Sequence, residues 1–107
     1  MQDVERILNI DEWQKLQDSL AKVTKMALLT VNYLGVPVTK HSNPCEFCSR
    51  VRRDPNLSPY CQKCDSRGGI EAVRLNKPVI YHCYFGIIDM AVPIVVNGVY
   101  QGALMAG

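Results

Sequence analysis

The sequence lacks the long apolar run that a membrane-spanning segment needs. No stretch of its 107 residues approaches the ~20 consecutive apolar residues that cross a bilayer. The amino terminus also lacks a basic region followed by the apolar core of a secretion signal. We therefore expect a cytoplasmic protein with no membrane partner.

The chain also lacks a strong excess of charge. Its 12 basic and 10 acidic residues leave a formal net charge of +2, which is too small to favour direct binding of nucleic acid. The basic residues are scattered, except for Arg50, Arg52 and Arg53 beside the cysteines. Internal repeats and low-complexity segments are absent, and 48% apolar with 21% charged residues is typical of a globular chain rather than a disordered one.

The length fits one compact domain over residues 1–107. The sequence stops at 105–107, inside what the pattern predicts to be a strand. We therefore expect the domain to be a piece of a longer protein.

Four helices are predicted. A short one covers residues 2–8, and a second covers residues 11–24, with Asn9 or Asp11 as its cap. In the second helix an apolar stripe at spacings of three and four predicts the packed face: Trp13, Leu16, Leu20 and Val23. Two further helices are expected at residues 46–53 and 60–75. The pair Gly68-Gly69 weakens the last of these by up to ~1 kcal/mol per glycine, which indicates a break or a close approach of another element.

Five strands are predicted from apolar and β-branched runs. Residues 26–33 and 36–39 read as a hairpin around Leu34-Gly35, and residues 79–85, 88–96 and 99–105 as three consecutive strands. Asn97-Gly98 is a strong turn signal, and Pro93 indicates an edge or a bulge. This order predicts an α+β domain with a five-stranded antiparallel sheet, helices packed on one face, and a pocket between the layers.

All five cysteines of the chain lie between residues 45 and 83. Two Cys-x-x-Cys pairs, Cys45 with Cys48 and Cys61 with Cys64, have the spacing by which thiolates reach one tetrahedral metal ion. The pairs suit zinc or an iron–sulfur cluster, and Cys83 competes as a fourth ligand. Two of the thiols could instead form a redox disulfide, and Cys83 alone could be a small core residue.

Two other polar residues, His41 and Asp89, lie near the cysteines or within an apolar run and are candidate site residues. His41 lies four residues before Cys45, a distance that matches no familiar ligand pattern, so we expect a solvated loop histidine. Asp89 interrupts an apolar run and either bonds backbone groups at a bend or faces the pocket. A thiol enzyme that uses a cysteine with His41 or His82 and an acid such as Asp65 or Asp89 is a third hypothesis.

Several segments together resemble the PocR sensory domain, a ligand-binding module related to the PAS fold in prokaryotic signalling proteins. The matching segments are 45–52, 61–65, 81–89, 91–94, 98–102 and the terminal Gly107. The resemblance spans most of the chain. It implies a PAS-like sheet and a sensor rather than an enzyme, fused to an output domain: a DNA-binding domain, a kinase or a cyclic-dinucleotide enzyme. The expected effector is a small organic molecule such as a short diol.

Among the cysteines the resemblance favours Cys48, Cys61 and Cys83, with Cys45 or Cys64 joining them beside an effector pocket. The expected ligand-binding residues are Tyr81, Cys83, Tyr84, Phe85, Asp89 and Met90.

The amino-terminal helix is a candidate dimerisation element, which makes a homodimer a further expectation. The alternative hypothesis is a metal-dependent or thiol redox sensor, in which the cysteine site itself is the input.

Overall fold

The fold was analysed on a computed structural model that describes residues 8–107. The predicted helix at residues 2–8 lies outside the described residues except for its last position. The helices are α1 (Ile10–Thr24), α2 (Glu46–Arg53) and α3 (Ser58–Leu75). The strands are β1 (Leu28–Asn32), β2 (Val79–His82), β3 (Ile88–Val96) and β4 (Val99–Ala106). The α+β class is therefore confirmed.

The sheet has four antiparallel strands in the order β1-β4-β3-β2. The expected fifth strand, residues 36–39, makes no regular ladder within the described part of the chain. Two isolated bridges join the segment after β1 back to it, Leu28 with Ser42 and Val31 with Pro37. Pro37 has no N–H to donate, and the Thr30 N–H bonds the Thr39 hydroxyl at 3.0 Å instead of a backbone carbonyl. Both features interrupt the ladder.

Strand β2 is shorter than predicted, because it ends at His82 rather than Phe85. The Cys83 N–H donates to the Ile87 carbonyl at 2.8 Å, and the Gly86 N–H donates to the Cys83 carbonyl at 2.9 Å. Gly86 adopts a φ of +82°, which glycine tolerates and which closes the turn to β3. Cys83 and Phe85 therefore lie on a hairpin turn and not on a strand face.

Helices pack on both faces of the sheet, which corrects the expectation of one covered face. Strand residues alternate between faces, and two apolar clusters follow that alternation. One cluster contains Ala72 of α3 with Leu29, Val31, Ala91, Ala103 and Met105. The other contains Ala21 of α1 with Leu28 and Ala106, and Met26, Met90 and Leu104 pack against it.

Of its predicted apolar stripe, helix α1 buries Trp13 in part, and the indole N–H donates to the Thr30 hydroxyl at 2.7 Å. Leu16, Leu20 and Val23 are exposed, and the buried residues are Gln17 and Ala21. The Gln17 amide accepts hydrogen bonds from the hydroxyls of Thr30 and Thr39 at 2.8 Å each, and donates to the Ser42 hydroxyl at 2.8 Å. A buried amide that is satisfied on both sides fixes the helix as effectively as an apolar contact does. The helix therefore turns its polar network inward.

The glycine pair of α3 allows a close approach, as one of the two alternatives predicted. The helix runs through Gly68-Gly69 without a break. A Cβ atom at Gly68 would lie 2.5 Å from the Tyr81 ring, and one at Gly69 would collide with the Tyr100 hydroxyl. The missing side chains let α3 lie directly on β2 and β4, which brings its cysteine-bearing first turns to the end of the sheet.

Candidate functional site

A cavity of about 420 Å³ opens where α2, α3 and the 41–45 loop meet the end of the sheet. We call it the main cavity. Its polar and thiol lining comes from separate elements: Lys25, His41, Asn43, Cys45, Cys48, Arg52, Asp65 and Asp89. Leu29 and Met105 contribute apolar surface from β1 and β4. A cavity of this size with a few convergent polar groups is the usual form of a small-molecule site.

A buried ion pair forms one wall of the main cavity. Arg52 of α2 donates to Asp65 of α3 at 2.9 Å, and the Tyr81 hydroxyl of β2 donates to the other Asp65 oxygen at 3.1 Å. Asp65 is only 1% exposed. Burial raises the pKa of its carboxyl, while Arg52 opposes that rise. The three side chains tie two helices to the sheet.

Asp89 faces the main cavity from β3. It lies in a regular strand opposite Tyr81 of β2, so the alternative of a carboxylate at a backbone bend is not favoured. Burial, and secondarily the negative charge of Asp65, raise the pKa of Asp89 to about 6. A carboxyl with such a pKa is mostly ionised at pH 7, where it accepts hydrogen bonds, and it also donates once the pH falls below its pKa.

His41 is half-buried in the cavity wall, which corrects the expectation of a solvated loop histidine. Its Nδ1 atom is buried and has no hydrogen-bond partner within the part of the chain that the structure describes. Burial, and secondarily the charge of Arg52, lower the pKa of His41 to about 4. The ring is therefore neutral at pH 7, and it forms part of the wall of the main cavity.

The cysteines gather around a second, small cavity of about 20 Å³. The residues favoured by the resemblance, Cys48, Cys61 and Cys83, all border it. Cys45 caps the amino end of α2, and the Cys64 sulfur accepts the Tyr84 N–H at 3.1 Å. Residues 8–107 contain no group of three or more histidine, cysteine or acidic side chains placed to hold a metal ion. Zinc and iron–sulfur binding therefore stay predictions.

The cysteine thiols differ in the direction in which their pKa is shifted. The pKa of Cys45 is lowered, first by the backbone N–H of Cys48 and then by its thiol. Burial raises the pKa of Cys48 to about 12 and also raises that of Cys61. The exposed thiol of the first pair is consequently the more acidic member.

The predicted ligand-binding residues occupy several positions around this region. Cys83, Phe85 and Asp89 border the small cavity, and Asp89 also borders the main one. Tyr81 lies behind Asp65 and holds it by a hydrogen bond. Tyr84 is 65% exposed and stacks on Tyr60. Met90 lies on the opposite face of the sheet, with the cluster around Ala21.

The sequence did not predict that His41 and the Arg52–Asp65 pair would line the main cavity. A signal for Asp65 existed, since it lies four residues before Gly69 and seven before Ala72, on the face of α3 that these small residues bury. The burial of His41 had no comparable local signal, because distant elements cover it.

Opposite pH dependences are expected from Asp89 and His41. The raised pKa of Asp89 gives stability that is present below its ordinary pKa of 3.8 and lost as pH rises towards 6. The lowered pKa of His41 gives stability that is present above its ordinary pKa of 6.5 and lost as pH falls towards 4. Each contribution is about 1 kcal/mol after allowance for solvent screening, so the two nearly cancel in the unmodified chain.

Urea unfolding at pH 4, 5 and 6 tests this balance. Relative to the unmodified chain, Asp89→Asn should gain stability as pH rises across this window, and His41→Gln should lose it. The exposed Asp11→Asn serves as a control that should leave the slope unchanged. Slopes of the same sign for both cavity variants would contradict the assignment.

Among the described residues, no helix has the length and apolar character to cross a membrane.

Comparison with known proteins matches the chain to a family model and to a curated relative. The family described as the sensory domain found in PocR matches residues 6–107. Regulatory protein PocR of Salmonella typhimurium is 32% identical over 100 residues, which are 94% of this chain and 33% of that protein.

The chain thus spans about a third of the curated relative that it matches. No solved structure matches the chain. The family match covers nearly the full length, including both cysteine pairs, the Arg52–Asp65 ion pair and the strand that carries Asp89. The chain belongs to the family of sensory domains found in PocR.

Proposed function

We propose that this domain is the cytoplasmic, non-enzymatic input module of a prokaryotic signal transduction or transcription regulatory protein, and that it binds a small organic effector in the main cavity. The observation that carries the proposal is that neutral His41, whose buried Nδ1 atom has no hydrogen-bond partner among residues 8–107, lines the same cavity as Asp89. A buried polar atom without a partner is costly. A ligand that supplies the missing hydrogen bond would remove that cost.

The chemistry of the lining favours a neutral, hydroxylated effector. The charge of Arg52 is compensated by Asp65 at 2.9 Å. The other cation of the lining, Lys25, is exposed to solvent, so a carboxylate ligand would find no buried free cation among the lining residues. Neutral His41 and the carboxyl of Asp89 are both able to accept a hydrogen bond from a hydroxyl group. Leu29 and Met105 supply apolar contacts for a short carbon chain. The short diols that the family resemblance suggests combine these properties.

Effector binding would reach an output domain through the elements that the cavity joins. The cavity is bordered by α2, by the first half of α3 and by the carboxyl end of β4. A ligand that prefers one arrangement of these elements shifts their equilibrium by its differential affinity. The expected receivers are a DNA-binding domain, a kinase or a cyclic-dinucleotide enzyme in the same chain.

A thermal-shift screen tests the proposal with alcohols, diols, aldehydes and carboxylic acids of two to four carbons. A binder present at 100 times its dissociation constant should add about 2.7 kcal/mol to stability. We expect a short diol to raise the Tm, and we expect His41→Phe and Asp89→Ala to abolish the rise. The surface variant Asp11→Ala should keep it. No response across the panel, or a response unchanged in both cavity variants, would count against the proposal.

We also propose that a second copy of the chain covers the exposed stripe of α1. Leu16, Leu20 and Val23 are 50%, 42% and 81% exposed, with the alternating spacing of a helix–helix seam. Light scattering after size exclusion should show a dimer that Leu20→Glu converts to a monomer. Lys15→Glu on a neighbouring exposed position is the matched control and should stay dimeric. If the unmodified chain is monomeric at its highest soluble concentration, the proposed dimer through the α1 stripe is wrong.

A further inference from the structure

The two Cys-x-x-Cys pairs occupy different places on their helices. Cys45 is the residue that caps α2, and Cys48 is the third residue of that helix. Cys61 and Cys64 instead lie inside α3, which begins at Ser58 and has no side-chain cap. Only in the first pair does a sulfur accept a hydrogen bond from a backbone N–H group in the first turn of a helix.

The cap geometry prepares Cys45 to act as a nucleophile. Its sulfur accepts the Cys48 N–H at 3.4 Å, and its backbone is extended, with φ of −72° and ψ of 159°. The positive end of the helix dipole and a backbone donor both stabilise a thiolate at this position. Cys45 is also exposed, so a reagent in solution can reach it, whereas Cys48 is half-buried.

The second cysteine is placed to resolve a covalent adduct on the first. The capping side chain folds over the first helical turn towards the residue three positions later, and residues at this spacing are neighbours on a helix. Cys48 occupies that position. Disulfides need Cα atoms about 4.4–6.8 Å apart, a range that residues three apart at a helix start satisfy.

We propose that Cys45 and Cys48 form a redox-active dithiol that a low-molecular-weight disulfide oxidises to an intramolecular disulfide. The Cys45 thiolate attacks one sulfur of the reagent, forms a mixed disulfide and releases one thiolate. The Cys48 thiol then loses its proton and attacks the Cys45 sulfur, which expels the second thiolate. The protein loses two electrons, and the reagent leaves as two thiols. The exposure of Cys45 and the partial burial of Cys48 agree with their roles as attacking and resolving groups.

Oxidation would change the wall of the main cavity directly. Cys45 and Cys48 both border it, so a disulfide replaces two thiols there and fixes the first turn of α2. The dithiol chemistry itself does not require an effector. A failure of the effector proposal would therefore leave the redox result intact, and the reverse also holds.

Equilibration with reduced and oxidised glutathione, followed by alkylation and peptide mass spectrometry, tests the assignment. In the unmodified chain we expect one disulfide, between Cys45 and Cys48. The Cys48→Ser variant should instead accumulate one glutathione per chain on Cys45, and Cys45→Ser should lose both products. A chain with Cys61→Ser and Cys64→Ser is the matched control and should keep the disulfide.

Three outcomes would overturn the inference. One is a disulfide that maps to Cys61, Cys64 or Cys83 in the unmodified chain. Another is the absence of glutathione from Cys45 in Cys48→Ser. The third is stoichiometric metal, measured by mass spectrometry, that protects Cys45 and Cys48 from alkylation until it is removed. That last result would assign the pair to a metal site.

Discussion

Replacing Arg52 with alanine is expected to cost about 3–5 kcal/mol of unfolding free energy, because it leaves the buried Asp65 carboxylate without its charge partner. Asp65 is 1% exposed, and the side chain of Arg52 is 20% exposed. The Tyr81 hydroxyl would still donate one hydrogen bond to Asp65, but a neutral donor does not replace a cation. Urea unfolding at pH 7 measures the loss.

The chain contains a matched control for this substitution two residues earlier in α2. Arg50 also contacts a carboxylate, that of Glu46 at 2.7 Å, but the two side chains are 71% and 78% exposed. An exposed pair of this kind contributes about 0–1 kcal/mol. Arg50→Ala should therefore leave the unfolding midpoint almost unchanged. Similar losses for both arginine variants would show that helix propensity, and not the buried pair, determines the stability of α2.

The buried pair also explains how the main cavity keeps its shape. Helix α2 is short and largely exposed, with Val51 as its buried apolar residue. An eight-residue helix is marginal without tertiary contacts, so Arg52 supplies a directed contact to α3. If that contact is lost, α2 is no longer held against α3, and Cys48 loses its fixed position in the cavity wall. We expect the effector response to disappear in Arg52→Ala even under conditions where the domain still folds.

Local signals in the sequence predicted the elements that local interactions determine. Asn9 caps α1, and α2 has the predicted bounds at 46–53. The Asn97-Gly98 turn follows from the left-handed conformation that both residues adopt, with φ of 52° and 77°. In each case the deciding contacts lie within a few residues of one another.

Predictions failed where distant residues decide the outcome. The apolar stripe of α1 predicted its packed face, but Gln17 found hydrogen-bond partners at Thr30, Thr39 and Ser42 and turned that face outward. These partners lie in β1 and in the segment that follows it, whose positions helical periodicity does not report. The cysteine spacing predicted one cluster of Cys45, Cys48, Cys61 and Cys64, whereas the small cavity is bordered by Cys48, Cys61 and Cys83. Spacing alone does not fix the sulfur positions that a metal requires, so the metal ligands stay a prediction.

Gly35 should tolerate alanine poorly, with a loss of about 2–5 kcal/mol, from two separable causes. Its φ of +81° is unfavourable for any residue with a Cβ. In addition, that Cβ would lie 2.8 Å from the backbone nitrogen of Ser66 and would collide with the Gln62 carbonyl. Both are atoms of α3 that cannot rotate away. The turn after β1 therefore packs against α3 through backbone atoms, with no side chain of Gly35 between them.

Gly98 separates the two causes, because it shares the conformation and lacks the contact. Its φ is +77°, and a Cβ there would meet nothing within 4 Å. Gly98→Ala should therefore show the conformational cost alone, about 1–2 kcal/mol, and the difference from Gly35→Ala measures the docking of the turn on α3. Since α3 carries Cys61, Cys64 and Asp65, a shift of that helix should also weaken the effector response in Gly35→Ala and not in Gly98→Ala. Equal losses in unfolding free energy for the two variants would mean that the turn does not hold the helix in place.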